Sequence, residues 1–180
     1  MIITISGKAG SGKSTVAKIL SKRLGLRHYS VGDVMRQMSA EKGISLLELN
    51  RRAEKDPSID KELDDRLIAL GKKEDNFVID GRLTAFFIPH AKFRIFLDAD
   101  EKTRAKRIFD ARRADERTLS FEETLKNVEK REQSEMKRYR EYYGVDYAQK
   151  KHYTHVIDTA PLDIEGVLKK ILTFVGGKGL

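Results

Sequence analysis

The chain has 180 residues, with 36 Lys and Arg against 28 Asp and Glu, a formal net charge of +8, and no cysteine. That length fits one domain with a single buried core, and 39% hydrophobic beside 36% charged residues excludes a disordered chain. Without thiols there are no disulfides, thiolate zinc sites or cysteine nucleophiles.

No run approaches the roughly 18 apolar residues of a membrane span, and residues 1–6 are too short and lack the basic flank of a signal peptide. A cytoplasmic, monomeric protein with no membrane partner is expected. The four histidines, His28, His90, His152 and His155, show no metal-ligand spacing. The arginines cluster in two short segments, 104–117 and 131–140, where a nucleic-acid reader usually interleaves its basic residues with aromatics. This points to a pocket for several phosphates and not to a nucleic-acid partner.

Residues 2–6 are β-branched or apolar and predict a strand. A glycine-rich stretch follows, then a helix with Val16, Ile19, Leu20 and Leu24 at helical spacing, stopped by Gly25. Residues 27–30 predict a second short strand, and residues 31–41 a helix ending near Gly43. Ser45 is an N-cap for a helix over 46–55, with Glu48 placed as in a capping box. Pro57 is read as a break, and residues 59–70 as a helix stopping at Gly71. Strands are predicted at 77–80, 93–98 and 155–158, with Asp98 capping the helix after it. An amphipathic helix over 163–175 closes the chain before a frayed tail. Alternating strands and helices make this an α/β protein, with about five parallel strands covered on both faces.

The stretch Gly7-Lys8-Ala9-Gly10-Ser11-Gly12-Lys13-Ser14 fits the Walker A pattern at every specified position, and it sits where that pattern works, between an apolar strand and a helix. Glycines let successive backbone N–H groups face a phosphate chain, and the helix N-terminus adds its own N–H groups. Lys13 reaches the terminal phosphates and Ser14 offers a hydroxyl to Mg²⁺, with Thr15 completing the nucleotide-binding run. ATP and Mg²⁺ are the expected cofactors. A base-reading Asn-Lys-x-Asp segment of the GTPase type is missing, and arginine-rich segments after the strands favour a small kinase with a closing lid.

Further segments carry a resemblance. Ser30-Val31-Gly32-Asp33-Val34-Met35-Arg36, Asp80-Gly81-Arg82, Arg131-Glu132-x-x-Glu135-x-x-Arg138 and Tyr143-Gly144-Val145-Asp146 resemble nucleoside monophosphate kinases, and among them the archaeal-type cytidylate kinases. Adenylate kinases carry a longer Asp-Gly-Phe-Pro-Arg at the second of these places. The resemblance implies a three-layer P-loop fold with core 1–30, 73–106 and 121–180, an acceptor-binding helical insertion 31–72 and a lid 107–120. It implies transfer of the γ-phosphoryl of ATP to CMP or dCMP as small-molecule substrate.

By the same resemblance, Ser30, Asp33, Arg36, Gly81, Arg82, Arg131, Glu135 and Arg138 form the acceptor site. Arg36 and Arg82 would hold its phosphate and Asp33 or Glu135 its nucleoside. Asp80 joins Ser14 at the metal. Lys13, Arg107, Arg113 and Arg131 would stabilise the transferring group, and of the adjacent Arg112 and Arg113 one at most is essential. Tyr139, Tyr142, Tyr143 and Tyr147 are read as packing residues. Another monophosphate (UMP, AMP), a metabolite such as shikimate, or slow ATP hydrolysis by an RNA-binding switch stay open as alternatives.

Overall fold

The computed structural model describes residues 1–111 and 120–176, with the side chains of residues 46 and 47 left aside. The expected lid residues Arg112 and Arg113 and the tail beyond residue 176 lie outside the described residues. The elements in order are β1 (Ile2–Gly7), α1 (Lys13–Arg23), β2 (Arg27–Ser30), α2 (Val31–Glu41), α3 (Leu46–Ala53), α4 (Pro57–Lys73), β3 (Phe77–Asp80), α5 (Thr84–Phe87), β4 (Phe93–Asp98), α6 (Glu101–Ala111), α7 (Phe121–Tyr143), a 3₁₀ turn (Lys150–His152), β5 (His155–Asp158) and α8 (Ile164–Gly176).

The five strands form one sheet in the order β2-β3-β1-β4-β5, every pair parallel. Parallel strands need crossovers, and the crossover helices cover both faces, so the strands read as nearly unbroken apolar runs. Alternation along each strand divides the core. Ile3, Ile5, Val78, Ile95 and Leu97 pack against Val16 and Leu20 of α1 and Leu168 and Ile171 of α8. Ile2, Phe77 and Ile79 point the other way, into Met38 of α2, Leu49 of α3, Leu63 and Leu67 of α4, and Ile88. A third cluster joins Phe96, Leu83, Tyr147 and Tyr153.

The registers Ile5↔Asp80, Ser30↔Asp80 and Gly7↔Leu97 bring the ends of β1, β2, β3 and β4 to one carboxyl edge. The chain leaves β1 for the far edge strand β2 and returns beside β1 with β3, so the crevice for a ligand opens at that edge.

Several local expectations are corrected. Pro57 does not break a helix but starts α4: Asp56 is the N-cap, its side chain accepting from Ser58 N at 2.9 Å, and a first-turn proline has no N–H to lose. Gly71 does not stop α4, which runs on to Lys73. A Cβ at Gly71 would lie 3.2 Å from Ile88, so the missing side chain admits Ile88 and ends nothing. Ser45 caps α3, accepting from Glu48 N at 3.1 Å, but α3 ends at Ala53. The Glu48 carboxylate turns to Arg52 at 2.8 Å, which leaves half a capping box. Asp98 accepts from the next residue's N–H and lies near Lys150, while Asp100 caps α6 through Thr103 N at 2.9 Å. Among the described residues no helix is long and apolar enough to cross a membrane.

Candidate active site

The phosphate loop leaves β1 and enters α1 through Gly12, which no side chain caps. The unpaired N–H groups of that first turn and the positive end of the helix therefore face the loop, as an anion requires. Gly10 has φ +78°, and a Cβ there would stand 2.5 Å from the Arg104 carbonyl oxygen. Only glycine allows the loop to rest so close to α6.

Lys13 is 8% exposed, and its Nζ donates to the Lys8 carbonyl at 2.6 Å. Burial brings its pKa down to about 7, the Arg82 and Arg131 charges push the same way, and Asp80 and Glu135 oppose. The cation is poised for phosphate oxygens that would restore its usual basicity.

Beside it, Asp80 ends β3 in a buried position. Its Oδ2 accepts from Ser14 Oγ at 2.6 Å and Ser30 Oγ at 3.4 Å, and its Oδ1 pairs with His28 Nε2 at 2.8 Å. One hydroxyl and one carboxylate in contact are a sparse donor set, and no group of three His, Cys, Asp or Glu suited to a metal occurs among the described residues. That set fits Mg²⁺, which keeps several waters and is held largely through substrate phosphates.

Two residues with no assigned role in the sequence reading brace the loop. Arg104, 2% exposed, donates to the Ala99 carbonyl at 3.1 Å, the Ala9 carbonyl at 3.2 Å and Glu132 at 2.8 Å. Glu132 of α7 also pairs with Lys8. The loop backbone is thus tied to α6 and α7. Lys8 is held in this brace and is not among the cleft-lining residues. Arg107 lines the cleft one turn beyond Arg104 and docks on Thr159 after β5, at 2.9 Å to Oγ1 and 2.7 Å to the carbonyl.

The acceptor-side residues come together around Glu135. Arg82 follows Gly81, where a Cβ would collide with Val31 and Thr84, so the chain turns tightly under α2. Arg82 Nε pairs with Glu135, and Arg131 Nε donates to its other oxygen at 3.1 Å. Burial alone would push the Glu135 carboxyl up, but Arg82 and then Arg131 outweigh it and hold it below the usual value. Arg138 faces Asp60 of α4.

Arg36 lines the cleft and pairs with Asp33. Both are largely exposed, and Asp33 does not line the cleft. Ser30 is buried beneath Asp80. Tyr147 is fully buried and Tyr143 bonds Asp64, while Tyr139 also reaches the cleft. One cleft of about 750 Å³ holds the phosphate loop, Asp80, Arg36, Arg82, Arg107, Arg131 and Arg138.

An all-parallel sheet with a phosphate loop after its central strand, facing arginines from several elements across one cleft, defines a P-loop kinase. The shikimate kinase of Bacteroides thetaiotaomicron shares this fold, with a TM-score of 0.71 at 14% identity over 98% of each chain. Residues 2–161 match the cytidylate kinase-like family, and the chain belongs to it. Among its relatives, the cytidylate kinase of Natronomonas pharaonis is 43% identical over 168 residues, covering 93% of this chain and 85% of that one. The cytidylate kinase of Archaeoglobus fulgidus is 38% identical over 97% of this chain and 94% of its own.

Proposed function

We propose that this protein transfers the γ-phosphoryl group of ATP to CMP and dCMP, giving ADP and the diphosphates, as a monomer in the cytoplasm. The observation that carries the reading is the single cleft shared by the phosphate loop and the Arg36, Arg82, Arg131 and Arg138 side chains. Membership of a family whose relatives are cytidylate kinases directs it to cytidine nucleotides.

An oxygen of the acceptor's phosphate attacks the γ-phosphorus, a new P–O bond forms, and the bond to the ADP oxygen breaks. The nucleophile is already anionic, so no strong base is needed. The barrier is electrostatic, set by two polyanions that must meet. Lys13 takes the γ-oxygens and the developing charge on ADP. Arg82 and Arg131, held in place by Glu135, and Arg36 receive the acceptor's phosphate through planar guanidinium forks. Arg107 covers the donor side, joined by Arg113 from the lid, which we assign to residues 107–120. The insertion over residues 31–72 closes on the acceptor. Ser14 and Asp80 would hold Mg²⁺ with the ATP phosphates, where the ion supplies neutralisation of their charge.

Acceptors compared by coupled ADP release test this. CMP and dCMP should give kcat/KM at least about tenfold above UMP and AMP, a discrimination within reach of one binding site, and shikimate should give no turnover. Equal use of all nucleotides, or preference for shikimate, would overturn the choice of acceptor. Salt-sensitive RNA binding with no acceptor-dependent turnover would replace it by an ATPase switch.

A further inference from the structure

Arg104 of α6 stands behind the phosphate loop and is not among the residues that line the cleft. It is buried, and its guanidinium meets three segments at once. Nε donates to the Ala99 carbonyl beyond β4 at 3.1 Å, Nη1 to the Ala9 carbonyl in the loop at 3.2 Å, and Nη2 to Glu132 of α7 at 2.8 Å. Three acceptors fix the orientation of the planar fork, which a point cation on a flexible stem would not retain. Glu132 offsets the cost of burying that charge, and its other oxygen pairs with Lys8, the residue before Ala9.

A trans peptide is planar, with its C=O and N–H pointing opposite ways. Arg104 draws the Ala9 carbonyl to the back of the loop and so turns the Gly10 N–H to the front, where Ala9 and Gly10 line the cleft. Among the described residues no backbone carbonyl takes that N–H. Gly10 itself does not fix this arrangement. It has φ +78°, but a glycine enters negative φ about as readily. With the peptide turned over, the Ala9 carbonyl oxygen would point at the phosphates and repel them. The fork at Ala9 selects between the two.

We propose that Arg104, anchored by Glu132, is a positioning residue for the donor nucleotide, holding the Ala9–Gly10 peptide so that the Gly10 N–H meets the phosphate chain of ATP. This step rests on the reading of the loop as the ATP site. Neither side chain touches the nucleotide; both act through the loop backbone. The acceptor arginines Arg82 and Arg131 are held separately, by Glu135, so the acceptor site should be indifferent to the change.

The test is Arg104→Lys, which keeps the charge and loses the fork. ADP affinity by calorimetry, and KM for ATP and for CMP, are measured in the wild type and the variant. ADP binding should weaken and KM for ATP rise by at least about tenfold, the loss of one hydrogen bond to a charged group, while KM for CMP stays within about twofold. A folded variant with parental ADP affinity overturns the proposal. So does one in which both KM values rise equally, as general loosening would produce. Should Arg104→Lys not fold, Glu132→Gln decides. It is nearly isosteric, removes the charge that anchors Arg104 and Lys8, and should show the same split; parental ADP affinity there overturns the proposal. A wild type that binds ADP but phosphorylates no nucleotide would bring down the proposed function, and the ADP affinities would still decide the role of Arg104.

Discussion

Replacing Lys13 with Met will lower kcat/KM for ATP by at least about 10²-fold, the loss expected when one preorganised charge is removed from a phosphoryl-transfer site. The variant will nevertheless be as stable as the parent or more so. Lys13 is buried and its pKa falls from 10.5 to about 7, so its protonated form is less favourable in the folded protein than in the unfolded chain. Between pH 7 and 10.5 the unfolded chain holds a proton that the folded protein has released, and stability therefore rises with pH across that window. Below pH 7 the full cost of the buried cation is present, on the order of a few kcal/mol at about 1.4 kcal/mol per pKa unit. Methionine fills the same space without charge and removes that cost.

Nucleotide binding relieves the same cost by giving the ammonium its phosphates. ADP binding at pH 8 to 9 should therefore take up a proton in the parent and none in Lys13→Met. Thermal melts, coupled kinetics and calorimetry in buffers of different ionisation heat measure the three effects. Normal turnover by Lys13→Met, or a clear loss of its stability, would remove Lys13 from its assigned place.

Arg82→Met will damage folding and acceptor use together, and a second substitution separates them. Glu135 lies buried between Arg82 and Arg131. Removing Arg82 strips one partner from a buried carboxylate, with an expected cost of about 3–5 kcal/mol. The double variant Arg82→Met/Glu135→Leu replaces the pair with apolar groups and should recover most of that stability. It should not recover the acceptor site: KM for CMP stays raised by about 10²-fold or more, in line with the loss of a charge-assisted bidentate contact, while KM for ATP changes little. Denaturant titration and kinetics with each substrate varied in turn give both numbers. A double variant with parental KM for CMP would show that Arg82 serves the fold alone.

These two sites were legible in the sequence for different reasons. The phosphate loop is a local object, with strand, glycines, lysine and helix contiguous over residues 2–24, and its spacing carries its chemistry. Arg82 was legible because it follows a strand-ending Asp-Gly. The Arg104–Glu132 brace was not, because its members lie 28 residues apart and act on the carbonyls of Ala9 and Ala99, and a carbonyl leaves no mark in a sequence.

Asp60 was not singled out in the sequence, because the residue that pairs with it, Arg138, comes from a helix some eighty residues later. Pro57 and Gly71 were misread because their meaning depends on neighbours: Asp56 turns a helix breaker into a first-turn residue, and Ile88 turns a stop into a packing notch. Strand order was legible only as parallel. The position of β1 at the centre, which sets the crevice, comes from pairing across long crossovers.

The γ-phosphoryl is expected to pass to a cytidine monophosphate held across the cleft. The most direct measurement follows a label from the γ-position of ATP through a single turnover with CMP. The label should appear in the β-phosphate of CDP, with almost none in inorganic phosphate. Label recovered as inorganic phosphate, with CMP unchanged, would contradict the account.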